Sequence, residues 1–463
     1  MKFKAITLIV VDALLALVAL FSAATVRFDY SEISQRLLEP FTMYIVGVFI
    51  AIILFSSHLM EVYDRNKNLT KRAILINVTF GTVTTFSLLS VVHYLVPDLV
   101  LGRGVLVISL GIFALLQFCW HSLYLVGKKH PGFLQRVLVL GTGPLAAQIG
   151  EMVSSKGQNF TLAGYASCHT NSKGDDQEPA QIDVPQDMVL GNCDTLLDIA
   201  LRAQADVIVV ALSERRGVFP LKDVLTCKLN SIQVMDAPSF YELIQGKLML
   251  ESITPSWFIF SSGFRRTTIF SISKRAIDII LAMTGLLVTL PFFPLIALAI
   301  KIDSRGPVFF RQKRVGNKEK PFILYKFRTM GQDAEKGTGA VWAEKNDPRI
   351  TKLGRFFRGS RIDEIPQLIN VLKGEMSFVG PRPERPEFVE KLKLVIPYYS
   401  KRHFIKPGLT GWAQVRYRYG STVEDAVEKL RYDLYYIKNV CPALDTLIFF
   451  ETIKVVLFGF GGR

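Results

Sequence analysis

Cysteine is scarce in this sequence, and what there is lies scattered. Cys119, Cys168, Cys193, Cys227 and Cys441 are the only five in 463 residues. None forms a C-x-x-C pair, which argues against a disulfide framework or a structural zinc site and places the soluble parts in a reducing compartment. Acidic residues are short too. Forty Asp and Glu face 55 Lys and Arg, a net charge of +15, with most of the surplus after residue 264. A basic surface suits nucleic acid, anionic lipid or a phosphorylated substrate. A cleavable leader is not expected either. Lys2 and Lys4 precede an apolar run to about Val26, but Ala23-Ala24-Thr25-Val26-Arg27 is a poor cleavage site, so the run reads as a retained first membrane helix.

Apolar residues are abundant, at 50%, and they gather in runs of roughly bilayer length, about 20 residues each. Four such runs, about 5–26, 41–60, 73–96 and 104–126, fill residues 1–130. Lys2 and Lys4, then Arg65, Lys67, Lys71 and Arg72, then Lys128, Lys129 and Arg136 flank them on one side. The other two loops set Arg27 and Arg36 against Asp29, Glu32 and Glu39, and Arg103 against Asp98. That asymmetry puts both ends of the bundle in the cytoplasm, and the apolar runs favour lipid and phosphates over nucleic acid as the basic surface's partners. His58, His93 and His121 in or beside the runs read as interfacial or interhelical packing residues.

Residues 131–250 read as a doubly wound α/β domain. Arg136 to Leu140 is a buried strand feeding Gly141-Thr-Gly143-Pro-Leu-Ala146, a match to G-x-G-x-x-A. Asp206 to Leu212 and Ser231 to Asp236 are further buried strands, and Asn171 to Asp187 is a polar loop. Such a glycine turn lets a backbone approach a pyrophosphate at a helix N-terminus. It also occurs as a plain strand-to-helix turn. No acidic residue ends a second strand to hold a ribose, so Gly141, Gly143 and Ala146 mark a weak nucleotide-type site with no named ligand.

After a linker at 251–271, Ala276 to Ile300 is again long enough to span. Pro291 in Pro291-Phe-Phe-Pro294 breaks its helical bonding. Arg265, Arg266, Lys274 and Arg275 flank one end; Lys301, Arg305, Arg311, Lys313 and Arg314 flank the other. A crossing helix would leave one basic flank outside, so the segment at about 274–301 is expected to enter, bend at Pro291 and return. Leu444 to Leu457, interrupted by Asp445, Glu451 and Lys454, is expected to be an interfacial amphipathic helix.

Between these anchors lies a basic hairpin pattern, Pro307 to Met330 around a Gly316-Asn317 turn, presenting Arg311, Arg314, Lys326 and Arg328. Then comes Arg358-Gly-Ser-Arg-Ile-Asp363-Glu364-Ile-Pro366, read as a helix capped by Ser360 with both acids in its first turn and stopped at Gly374. Acids there commonly complement only the helix dipole. Arg382, fixed between Pro381 and Pro383, changes the reading, because an arginine fork suits a diphosphate. A carboxylate can attack phosphorus, while its neighbour can hold Mg²⁺.

Lys326-Phe-Arg-Thr-Met330, Asp363-Glu364-Ile-Pro-Gln, Val379-Gly-Pro-Arg-Pro383, Lys406-Pro-Gly-Leu-Thr-Gly-Trp-Ala-Gln414 and Tyr432-Asp-Leu-Tyr-Tyr-Ile437 together closely resemble the bacterial sugar transferase family, the monotopic polyprenyl-phosphate phosphoglycosyl transferases. Ala205 to Arg216 and Pro255 to Phe264 further resemble the branch associated with PEP-CTERM/exosortase exopolysaccharide loci. The resemblance implies a multidomain membrane protein. Its parts would be a four-span α-helical bundle, a Rossmann-like middle domain and a mixed α/β catalytic domain over 272–463 with a re-entrant helix and interfacial helices. It implies transfer of a hexose-1-phosphate from a UDP-sugar to polyprenyl phosphate, with Asp363 as nucleophile and Glu364 on Mg²⁺. Arg358 and Arg382 would contact phosphates, with Lys326, Arg328 and Arg314 nearby and Pro291 as the helix break, although Leu290 stands where many relatives have serine. Implied partners are exopolysaccharide assembly proteins at the cytoplasmic membrane. Homo-oligomerisation stays open. A nucleotide-sugar dehydratase would need Y-x-x-x-K after the glycine turn, and Tyr63–Lys67 and Tyr124–Lys128 both precede it. A non-catalytic scaffold or nucleotide sensor would have no use for the acid pair.

Overall fold

A computed structural model describes residues 2–29, 40–60, 62–63, 71–96, 102–127, 134–156, 160–168, 183–212, 219–253, 255–261, 263–264, 267–331, 334, 347–417, 420 and 422–458. The described residues divide into two compact units, Met1–Phe240 and Tyr241–Arg463. Most of the polar loop expected at 171–187 lies outside them.

Four apolar helices open the first unit: α1 (Lys2–Arg27), α2 (Pro40–Leu59), α3 (Lys71–Leu95) and α4 (Arg103–Gly127). Each is long and apolar enough to cross a bilayer, in keeping with the four runs read from the sequence; this is a membrane protein. Ala16, Ala19 and Ala23 are fully buried beside Phe49 and Phe113. Small residues let helices approach where apolar burial gives no net drive in lipid. Leu14, Phe21 and Leu115 point outward. One polar network crosses the bundle. Asp12 accepts from Gln117 Nε2 at 2.6 Å and lies 3.2 Å from His121 Nε2, and Gln117 also reaches Ser57 Oγ at 3.1 Å. The histidine read as a packing residue is therefore paired with a buried carboxylate that the sequence reading passed over.

The same unit carries a parallel sheet in the order β3-β2-β1-β4-β5, formed by β1 (Gln135–Leu140), β2 (Phe160–Ser167), β3 (Val189–Asn192), β4 (Val207–Val210) and β5 (Gln233–Asp236), with α5 (Pro144–Lys156), α6 (Leu196–Arg202) and α7 (Leu221–Leu229) between strands. Leu138, Leu140 and Ile208 are completely buried, as expected of strands covered on both faces. Gly141 has φ +124°, and a Cβ there would lie 2.7 Å from the Ala211 carbonyl oxygen. Ala146 is fully buried. Close approach of the β4 end thus accounts for this glycine without a ligand.

The second unit begins in α8 (Ala237–Gln245), and its first residues form a strap. Gly246 O accepts from Trp412 Nε1 at 2.7 Å, Leu248 N donates to Arg431 O at 3.1 Å, and Lys438 Nζ lies 5.1 Å from the Trp257 ring centre in α9 (Pro255–Phe260). Then come α10 (Thr268–Thr289), a 3-10 turn at Leu290–Phe292 containing Pro291, and α11 (Phe293–Asp303). Only 6% of the apolar window in Thr268–Asp303 is buried. The strands β6 (Phe309–Val315) and β7 (Pro321–Phe327) pair antiparallel with Phe309 opposite Phe327, the hairpin the sequence predicts. The remaining elements are α12 (Lys352–Ser360), α13 (Gln367–Lys373), β8 (Ser377–Val379), α14 (Pro386–Val395), β9 (Gly408–Thr410), α15 (Trp412–Arg416), α16 (Val423–Lys438) and α17 (Pro442–Phe458).

Two features fix the elements of the second unit. The root of α10 is tied down: Asp278 accepts from Ser377 Oγ and Phe378 N at 3.1 and 2.8 Å, and Arg275 caps α13 by donating to Val371 O and Leu372 O. The parallel pair β8–β9 is a backbone crossing so close that a Cβ on Gly408 would sit 2.1 Å from Gly380 N. Helix α17 packs into its own unit, with Ile448 fully buried, Phe449 against Phe378, and Thr452 bonded to Thr410. Its sequence does not show the two-faced pattern expected of an interfacial helix, because apolar residues surround its axis.

Candidate active site

Asp363 and Glu364 do not start a helix capped by Ser360. That expectation is corrected: Ser360 ends α12, and its Oγ donates back to Phe356 O and Phe357 O. Arg361 then takes a left-handed conformation, φ 57° and ψ 18°. A 3-10 turn carries Ile362–Glu364, and α13 starts only after Pro366. Gly374 ends α13 with φ 81°, as predicted. The misreading has a plain cause. Serine serves equally well as an N-cap or as a bond to the preceding turn, and the sequence gives no warning that an arginine will adopt φ > 0.

The turn buries both acids, which are 6% and 7% exposed. Glu364 is saturated. Its Oε1 lies 2.7 Å from Arg382 Nη2 and 3.3 Å from Lys326 Nζ, and its Oε2 lies 3.4 Å from Arg361 Nη1. Burial alone would push this carboxyl up, but the Arg382, Lys326 and Arg361 charges outweigh it and hold the group well below the usual carboxylate range. Asp363 is different. Among the described residues it accepts no hydrogen bond, and its nearest cation is Lys326 at 3.9 Å. Burial raises its pKa against the pull of Lys326. Burial in turn lowers the pKa of Lys326, against the pull of Glu364.

Each neighbour is held from behind. Lys326 projects from β7, which is locked to α13 through Asn370: Tyr325 N donates to its Oδ1 at 3.1 Å, and its Nδ2 donates to Ile323 O at 2.7 Å. Arg382 follows the Gly380 crossing, and its carbonyl accepts from Arg402 Nη2 at 3.0 Å. Arg358 donates through Nε to Thr329 Oγ1 at 2.9 Å, with its charge lowering the pKa of Asp363.

Of the residues singled out from the sequence, Lys326, Arg358 and Arg382 converge on the acid pair. Arg314 stands one step back, donating to Pro383 O at 3.1 Å and lying 3.6 Å from Glu384. Arg328 turns away. It is buried and donates to Ser304 O at 2.6 Å at the end of α11. Two residues apart, Lys326 and Arg328 would share a face in a continuing strand, but β7 ends at Phe327 and the alternation does not carry on to Arg328. Pro291 lies in the 3-10 turn between α10 and α11, and the Gly141–Ala146 turn belongs to the first unit. Sequence reasoning missed Arg361, the Thr329 partner and the buried ion pair between Arg402 and Asp433. Asp433 lies within the motif at 432–437, and its place on the buried face of α16 was the available signal.

Residues 269–459 match the family described as bacterial sugar transferase. The chain is 40% identical over 237 residues to the UDP-N-acetylgalactosamine-undecaprenyl-phosphate N-acetylgalactosaminephosphotransferase of Aeromonas hydrophila, covering 51% of this chain and 55% of that protein. It is 37% identical over 273 residues to the UDP-glucose:undecaprenyl-phosphate glucose-1-phosphate transferase of Xanthomonas campestris pv. campestris, covering 58% and 56%. The exopolysaccharide production protein PSS of Rhizobium leguminosarum bv. phaseoli is 43% identical over 185 residues, which make up 39% of this chain and 92% of that protein. The chain thus spans about half the length of the first two relatives and nearly all of the third.

Proposed function

Because this chain belongs to the bacterial sugar transferase family, we propose that it moves a sugar-1-phosphate from a UDP-sugar onto polyprenyl phosphate at the cytoplasmic face of the bacterial membrane, in exopolysaccharide assembly. The observation that carries this reading is the asymmetry of the acid pair. Glu364 is neutralised by three cations, while Asp363 is buried beside one, with its lone pairs uncommitted.

In the first half-reaction an Asp363 carboxylate oxygen attacks the β-phosphorus of the nucleotide sugar. The bond from that phosphorus to the bridging oxygen breaks, and UMP leaves with the electron pair. An oxygen of the polyprenyl phosphate then attacks the same phosphorus and releases Asp363 as the carboxylate. Burial favours the attack, because a desolvated carboxylate needs little solvent reorganisation. Arg382 and Lys326 supply positive charge where the diphosphate develops negative charge. The hard oxygens of the two carboxylates suit Mg²⁺. Arg382, Lys326 and Arg361 surround the Glu364 oxygens, and with Arg382 engaged by the diphosphate Glu364 would hold the ion. When bound, Mg²⁺ supplies further neutralisation of the diphosphate.

The segment Thr268–Asp303 would dip into one leaflet. Helix α11 has only eleven residues, roughly 16 Å at 1.5 Å per residue, against a hydrocarbon core of about 30 Å. Such an anchor would bring Asp363 to the level where a lipid-borne phosphate meets a soluble nucleotide sugar.

The test is transfer of label from a panel of radiolabelled UDP-sugars into the lipid fraction by the purified full chain. Asp363→Asn is expected to abolish it and to leave no phosphosugar adduct. Unchanged transfer by that variant would sink the reading.

A further inference from the structure

Arg361 occupies a conformation that L side chains resist, one residue before the turn that carries the acid pair. Such an outlier persists only where the surroundings fix it from both sides, and here they do. On one side α12 is pressed against the end of the hairpin. A Cβ on Gly354 would lie 2.1 Å from Thr329 O, and Arg358 donates to Thr329 Oγ1. On the other side α13 is fixed by Asn370 to β7 and by Leu368 to α10, where a Cβ on Gly285 would lie 2.9 Å from Leu368. The chain must change direction between two immovable elements, and it does so at one residue.

Glycine would make that turn without strain. Glycine stands two positions earlier, at Gly359, where nothing lies within 4 Å of a would-be Cβ. The strained position instead holds an arginine. Its carbonyl accepts from Glu364 N at 3.1 Å, and its Nη1 lies 3.4 Å from Glu364 Oε2. Backbone and side chain therefore grip the same residue from opposite ends of the turn.

We infer that Arg361 is a positioning residue for the nucleophile. Its left-handed backbone turns Asp363 inward beside Lys326, and its guanidinium holds Glu364 so that the turn stays closed. This rests on the phosphosugar-transfer reading above. In that reading Arg361 acts through Glu364 and the turn, and it leaves nucleotide-sugar affinity to Arg382 and Lys326.

Three variants separate its two contributions in the purified full chain, read by UMP release from the UDP-sugar that the wild type uses and by the thermal midpoint. Arg361→Gly keeps the turn and removes the charge. Arg361→Ala removes the charge and keeps the strain. Arg361→Lys restores a cation. The expected order of kcat is wild type, then Lys, then Gly about 10-fold down, then Ala about 100-fold down, with KM within about 2-fold throughout. The midpoint of the Gly variant should equal or exceed that of wild type. A merely structural role would make kcat follow the midpoint, and the Gly result would then overturn the inference. A KM rise at unchanged kcat would also overturn it, by making Arg361 a substrate contact, as would wild-type kcat in the Gly and Ala variants. UMP release by the wild type marks these failures as belonging to Arg361 alone. Its absence would remove the transfer reading and this inference together.

Discussion

Arg402 lies 2.8 Å from Asp433, with the two side chains 5% and 2% exposed, and the same guanidinium donates to the carbonyl of Arg382. A buried ion pair thus sits directly behind the arginine that touches Glu364. Breaking such a pair from one side leaves a charge without compensation, at a cost of about 3–5 kcal/mol, whereas replacing both partners is far cheaper. Asp433→Leu should therefore lower the thermal midpoint of the purified chain sharply, and Asp433→Leu combined with Arg402→Leu should recover much of the loss. Equal midpoints for the single and double variants would show that the pair carries no such weight.

The bundle offers the same logic without water. Asp12 is fully buried against His121 and Gln117, and an unpaired ionisable group inside a membrane is costly. Asp12→Leu should reduce the yield of monodisperse protein in detergent. Asp12→Leu with His121→Leu should restore it in part, measured by size-exclusion chromatography after identical extraction.

The proposed re-entry of Thr268–Asp303 makes a topological prediction. Ser271 and Arg305 are both exposed, so Ser271→Cys and Arg305→Cys should each react with an impermeant maleimide from the same, cytoplasmic side of inverted vesicles. Labelling from opposite sides would mean that Thr268–Asp303 crosses.

Asp347 gives a pH prediction. Arg349 donates to its Oδ1 through the backbone N at 3.0 Å and Nε at 2.8 Å, and lies 2.5 Å from Oδ2. These bonds lower its pKa from 3.8 to about 2. A depressed carboxyl pKa contributes stability above the unfolded value that disappears as pH falls from 3.8 through about 2. The midpoint of wild type should fall more steeply across that window than that of Asp347→Asn. Parallel slopes would assign the acid sensitivity elsewhere.

The sequence made some of this legible and not the rest, for physical reasons. Leu138 and Ile208 lie in apolar runs bounded by turn residues, and such runs are strands by local rules. The hairpin announced itself through the Gly316-Asn317 turn, and Gly374 through its place after an apolar helix. Lys326 and Arg382 stood out as cations near an acid pair before any distance is known, whereas Arg358 was singled out only through the family resemblance. The Arg361 turn was hidden, since its conformation is imposed by two elements distant in sequence. Arg328 was misplaced because strand alternation fails at a strand end. Gly246 to Leu250 read as the end of the middle domain and the residues from Glu251 on as a linker, because the strap's partners, Trp412 and Lys438, come more than 150 residues later.

The crossing at Gly380 and Gly408 limits how such an enzyme can be retargeted. No side chain fits between those two backbones, so the path that delivers Arg382 is closed to redesign by even one methyl group. Attempts to change which donor is accepted should therefore leave this crossing alone.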